Sequence, residues 1–136
     1  INVFAGNDKA TIVTDTGVIS DNILRRIDDT TLLVLEANYD PHMLRFGPYQ
    51  PFLKQRVASD EGHLSNEMAA QALLMMKRPD FMQVILAHRS ENNNNSVLVT
   101  QTIGKMLVDG GVRIGPEMKL QHGQPNEIVS IQSVER

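Results

Sequence analysis

Two short apolar runs constrain the fold of this 136-residue chain more than any other feature: Leu32-Leu33-Val34-Leu35-Glu36-Ala37 and Val84-Ile85-Leu86-Ala87. Neither shows strict alternation with polar residues, and both are short for a core helix. Each therefore reads as a strand buried on both faces. Parallel strands need long crossovers, usually helical, and the intervening sequence supplies them. Asp40-Pro41 is a helix start, with aspartate as N-cap and proline in the first turn. A second short helix is expected over 51–59. Ser65-Asn66-Glu67 opens a third, whose apolar positions Met68, Ala69, Ala72, Leu73 and Met76 follow a 3.6-residue period, and Pro79 stops it. Ser96 is the expected cap of a helix over 97–108, which Gly110-Gly111 ends. Upstream, 1–4 and 10–15 read as a hairpin around Gly6-Asn7-Asp8, and Ser20 or Asp21 caps a helix reaching Arg26. Late strands are expected at 112–114 and 128–131. The alternation is that of an α/β domain spanning 1–136, without internal repeat or linker.

Composition narrows the function. A net charge of −3 gives no global field for a nucleic-acid coat or a membrane surface. The absence of cysteine leaves His, Asp, Glu and backbone oxygens as the only metal donors. No run approaches the roughly 20 apolar residues of a membrane span. With no signal-peptide pattern, the expected location is cytoplasmic. The chain opens inside a strand-like run without Met, so it is expected to be part of something longer.

Three residues stand where chemistry is placed in α/β proteins, outside the carboxyl ends of strands. Asp15 closes a strand in Ile12-Val13-Thr14-Asp15-Thr16-Gly17. One reading is a plain turn, with aspartate bonding its own backbone and glycine taking the left-handed position. Another is an aspartic protease, in which two carboxylates share a proton and a homodimer supplies the second. His63 precedes the helix capped by Ser65, where free N–H groups and the dipole suit an anion. His88 ends the second apolar run and enters Arg89-Ser90-Glu91-Asn92-Asn93-Asn94-Asn95. An aspartate and a histidine can together bind a borderline divalent metal. His42, in a helix, and His122, in a Gly- and Gln-rich tail, are weaker candidates. Lys54 and Arg56 meet phosphates or form a solvated helix face.

Taken in order, Thr14-Asp15-Thr16-Gly17, Leu35-Glu36-Ala37-Asn38, Gly62-His63-Leu64-Ser65-Asn66 and His88-Arg89-Ser90 with Asn93-Asn94 resemble the metallo-β-lactamase-fold hydrolases. The pattern looks closest to a bacterial subgroup with nuclease-like members, and is similar also to tRNA 3′-processing endonucleases of that fold. The resemblance covers nearly the whole chain. It implies an α/β fold that is the C-terminal half of a four-layer αββα sandwich, with metals at one edge. It implies that Asp15 bridges two metal ions, that His88 is the last metal-binding histidine, and that His63 contacts the scissile phosphate and helps the leaving group. Ser65, Ser90, Asn93 and Asn94 then hold the loops that carry the histidines.

The chain departs from that family in one large respect. The His-x-His-x-Asp-His signature and a further metal histidine lie upstream of the bridging aspartate in the family, and nothing like them occurs here. In a smaller departure, Tyr39 stands where relatives often place a histidine beside Asp40. The complete protein is expected to be a metal-dependent phosphodiesterase or nuclease with two divalent ions, zinc or manganese. Such ions sit about 3.5–4 Å apart and clamp the attacking and leaving oxygens. The chain alone is expected to hold one partial site or none, and to be inactive. Its expected partners are the missing half of the fold or a second copy, together with a nucleic-acid or phosphodiester substrate. A non-catalytic binding module that keeps the scaffold is the alternative.

Overall fold

Gly6, at φ 59°, turns β1 (Asn2–Ala5) back onto β2 (Asp8–Val13), and the two pair antiparallel. A computed structural model, describing residues 1–131, then adds three parallel strands in sequence order: β3 (Leu32–Glu36), β4 (Met82–Ala87) and β5 (Met118–His122). The crossovers are α1 (Asp21–Ile27), the series α2 (Pro41–Phe46), α3 (Pro51–Val57) and α4 (Asn66–Met75), and α5 (Ser96–Asp109). The described residues thus form a mixed α/β fold with one five-stranded sheet and five helices.

Strand order equals chain order, and crossovers between parallel strands are right-handed, so successive helices fall on the same side of the sheet. Packing agrees. The rows Thr11, Leu33, Val84, Leu120 and Val13, Leu35, Leu86 face α1, α4 and α5. Leu33, Leu73, Val84, Ile103 and Leu107 are wholly buried there, each contributing about 1.5–3 kcal/mol by leaving water. The opposite face corrects the expectation of strands buried on both sides. Its central row is Ile12, Val34, Ile85 and Gln121; Ile12 is exposed and the other three are part-exposed. The runs are continuously apolar although the described residues lay no helix on that face.

Local chemistry shifts several boundaries. Ser20 and Asp40 cap their helices as expected, through Ile23 and Met43 N–H groups. Ser65 Oγ accepts from Met68 N–H at 3.1 Å. At α5 the cap is Asn95 rather than Ser96: its side chain accepts from Leu98 N–H at 2.9 Å, and Ser96 becomes the first helical residue. Asn95 is exposed, yet its extended backbone and short amide make it the better-placed cap.

The carboxyl end differs most. Residues 112–114 form no strand beyond a single bridge from Ile114 to Met118, because Gly111 and Gly115, both at positive φ, turn the chain there. Residues 128–131 form no strand either, and Ile128 is 96% exposed. The edge strand is instead β5, which places His122 in the sheet opposite Leu86, not in a tail. No helix among the described residues is long and apolar enough to cross a membrane.

Candidate functional site

β2, β3 and β4 run parallel in a register that pairs Val13 with Leu35, Leu35 with Leu86 and Glu36 with Ala87. Their carboxyl ends therefore open at one edge, the usual ligand crevice of such sheets. Asp15 follows β2, Glu36 ends β3 and His88 follows β4. His63 reaches the same edge from the α3–α4 connection, because the chain beyond β3 pairs with it: Asn38 N–H donates to Leu64 O and Asn66 N–H to Tyr39 O.

Glu36 is the floor of the site and is completely buried. Its Oε1 lies 2.6 Å from Nδ1 of His63 and 2.6 Å from Nδ1 of His88, and its Oε2 accepts the Asp15 N–H at 3.0 Å. A buried carboxylate without partners is prohibitively costly, and these three donors remove that cost. Exposure of the side chains rises from the floor outward: 0% for Glu36, 28% for His63, 46% for His88 and 69% for Asp15. The two imidazoles meet edge to face with centroids 5.1 Å apart. Asp15 Oδ1 lies 3.6 Å and 3.9 Å from the two Nδ1 atoms.

These four residues offer donor atoms within 4.8 Å of one another. Donors sharing one tetrahedral zinc stand roughly 3.3–3.5 Å apart, given bonds of about 2.0–2.1 Å. The 2.6 Å Glu36–histidine separations are too short for that and are hydrogen bonds. An imidazole that donates through Nδ1 keeps its lone pair on Nε2. The donors then left on these residues are the two Nε2 atoms and the Asp15 carboxylate, nitrogen and oxygen groups of the kind a divalent cation accepts.

The backbone is tightly held here. Asp15 and His88 both adopt left-handed conformations, at φ 57° and 54°, an uncommon state that surrounding bonds must maintain. Asn38 Nδ2 donates to His88 O at 2.7 Å, and Ser90 N–H donates to Asn38 O at 2.8 Å. Asn66 and Asn94 form a reciprocal buried amide pair at 2.8 and 3.0 Å, and Asn94 also donates to Ala37 O. Ser90 Oγ accepts from Asn93 N–H, and Asn93 O accepts from Asp40 N–H. Asn93 and Asn94 are buried. The turn reading of Asp-Thr-Gly also changes. Gly17 is not left-handed; a Cβ there would lie 1.7 Å from Ser59 O, so glycine serves a close backbone approach while Asp15 takes the positive φ.

The structure brings Asp15, His63 and His88 together, with Ser65, Ser90, Asn93 and Asn94 in or beside the loops that carry the histidines. His42 lies on exposed α2, and His122 bonds Thr100 Oγ1 at 2.9 Å on α5. Burial, and secondarily Arg89, hold the His122 pKa below the ordinary histidine value. Burial and the nearby Glu67 push the Tyr39 hydroxyl upward, so it stays neutral. Glu36 is the residue that sequence reasoning missed. Its signal was present: an acid inside an otherwise apolar buried run requires a partner. The residues open onto a cleft of about 420 Å³, also lined by Tyr49 and Arg89.

No family model matches the chain. Among curated proteins, it is 34% identical over 128 residues to exodeoxyribonuclease YycJ of Bacillus anthracis, covering 94% of this chain and 48% of that protein. It is 34% identical over 124 residues to exodeoxyribonuclease WalJ of Streptococcus pneumoniae, covering 90% of this chain and 46% of that protein. The chain spans about half the length of the curated relatives it matches.

Proposed function

We propose that this chain is the C-terminal half of a metal-dependent nuclease with the metallo-β-lactamase fold, acting on phosphodiester bonds of DNA. The observation that carries the proposal is the convergence of Asp15, His63 and His88 around buried Glu36 in the cleft at the strand ends. The relatives named exodeoxyribonuclease support the substrate class. Neither of those names favours a protease or a non-catalytic module. Asp15 lies against imidazoles and a buried glutamate, which is the setting of a metal ligand rather than of a proton-sharing carboxylate pair.

Asp15 and His88 would hold the metal, and zinc or manganese there would supply Lewis-acid polarisation of phosphoryl oxygens. His63, oriented through Nδ1 by Glu36, would protonate the leaving oxygen of the scissile bond from Nε2 when its ring carries both protons, and Glu36 would then face the positive charge. Glu36 holds both imidazoles in one tautomer. The open sheet face, with Ile12 and Val3 44% and 60% exposed, supports a second sheet packing there to complete a four-layer αββα sandwich. That layer, and the remaining metal ligands, would come from the upstream half.

Calorimetric titration with manganese or zinc is expected to show one weak site, which Asp15→Asn or His88→Ala abolishes and His42→Ala leaves intact. Supplying the unmatched portion of the Bacillus anthracis relative should bring DNA hydrolysis. His63→Ala should then cost about 100-fold or more in rate. Unaltered metal binding in Asp15→Asn/His88→Ala, or full activity in His63→Ala, would overturn the assignment.

A further inference from the structure

The segment 41–57 is unlike the rest of the chain. It contains no Asp or Glu, and its ionised side chains, Arg45, Lys54 and Arg56, are all cationic, inside a protein of net charge −3. It also holds Phe46, Tyr49 and Phe52, half of the chain's six Phe and Tyr residues. It folds as α2 and α3, anchored by a small cluster of Tyr39, Leu44 and Val57 against which Tyr49 packs. Phe46 and Phe52 stay outside that cluster and are 68% and 71% exposed.

The segment is fixed against both histidine loops. Asp40 N–H donates to Asn93 O at 2.8 Å, and a Cβ at Gly47 would lie 2.9 Å from Asn93 Oδ1. His63 N–H donates to Val57 O at 2.9 Å, and Gly62 comes so close that a Cβ would lie 2.2 Å from that oxygen. Lys54 Nζ donates to Arg45 O at 2.7 Å and fastens α3 to the last turn of α2. Tyr49 and Val57 line the cleft. The exposed rings and cations are therefore carried on a shelf whose backbone is bonded to both histidine loops and whose Tyr49 and Val57 reach the cleft. The Arg45 guanidinium stands 5.4 Å from the Phe46 ring centroid.

We propose that this shelf binds single-stranded DNA, with bases stacked on Phe46 and Phe52 and phosphates met by Arg45 and Arg56. Exposed rings interleaved with cations suit a single strand, because every unpaired base offers a π-face and every linkage a negative charge. In a duplex those faces are stacked internally, so the rings have nothing to accept. The inference rests on reading the adjacent site as a DNA nuclease, and it names the form of the substrate that reaches it.

The test is fluorescence anisotropy with a labelled oligothymidylate, in EDTA so that neither metal nor cleavage enters. The wild type is expected to bind it more tightly than a duplex of equal length. Phe46→Ala/Phe52→Ala should weaken binding by about 10-fold or more. Arg45→Gln/Arg56→Gln should flatten the logarithmic salt dependence by roughly 1.4. Phe4→Ala removes an equally exposed ring, 68%, on β1 and should change nothing. Unchanged binding in Phe46→Ala/Phe52→Ala, or a preference for duplex, would overturn the proposal. Metal titration of the same variants separates the two readings. Loss of oligothymidylate binding with an intact metal site supports the shelf, whereas a wild type that binds no metal refutes the nuclease reading alone.

Discussion

Replacing Glu36 by glutamine keeps the volume of the side chain and converts one of its oxygens into a donor. Every group around the carboxylate is itself a donor: the two imidazole Nδ1–H groups at 2.6 Å on one oxygen and the Asp15 N–H at 3.0 Å on the other. With the amide oxygen toward the histidines, the NH₂ group faces the Asp15 N–H and orphans it. With the amide reversed, both imidazoles must move their proton to Nε2, which removes the lone pairs left for a cation. The first arrangement leaves one unsatisfied buried donor, about 1–3 kcal/mol. At this chain length that lowers the melting temperature by roughly 3–15 °C. It also frees Asp15 from the bond that holds its left-handed backbone. Loss of an orienting carboxylate weakens metal binding by about 10- to 100-fold. Circular-dichroism melts in EDTA and calorimetric titration with manganese measure the two effects separately. A Glu36→Gln protein that melts and binds metal like the wild type would refute the reasoning that Glu36 organises the site.

Two further substitutions probe the scaffold. Asn95→Ala should destabilise the protein by about 0.5–2 kcal/mol in urea unfolding, while Ser96→Ala, inside the helix, should be nearly neutral; the reverse order would refute the cap placement. His122, whose pKa burial and Arg89 hold below the ordinary histidine value, gives a pH-dependent term. Because its folded pKa is the lower, the unfolded state takes up the proton first. Its stability contribution is therefore full above the unfolded pKa, about 6.5, and is lost as pH falls toward the folded value. The stability difference between wild type and His122→Gln should shift against the wild type as pH falls through that window. A difference independent of pH would refute it.

The strand–helix alternation was legible because its signals are local. A proline at Pro41, caps at Ser20, Asp40 and Ser65, and short apolar runs each act within a few residues. Which faces of those strands are covered was not legible. Residues 32–35 are apolar throughout, yet the described residues place helices against Leu33 and Leu35 only. A side chain's composition records that it avoids water in the finished protein, not which segment excludes the water. The same limit hid β5, whose alternating Met118 and Leu120 form too short a pattern to compete with the more apolar 128–131.

The site divides in a comparable way. Asp15, His63 and His88 drew notice because each stands at an element boundary of the same polarity, and a histidine there is uncommon enough to weigh. Glu36 escaped because its role exists only in the paired structure. Within the chain, an acid closing an apolar run signals that it needs a partner, but nothing local says which groups supply one. Register makes the difference: pairing Glu36 with Ala87 sets it beside the residue that precedes His88, while the β2–β3 ladder sets Asp15 just beyond. The asparagine tract shows the same dependence. Asn92 is solvated, Asn93 and Asn94 are buried, and Asn95 caps α5, although the four are identical in type. Their neighbours explain the division. Asn94 finds the amide of Asn66, Asn93 finds Asp40 and Ser90, and Asn95 finds Leu98 N–H, each a bond that the fold must close before it can be read.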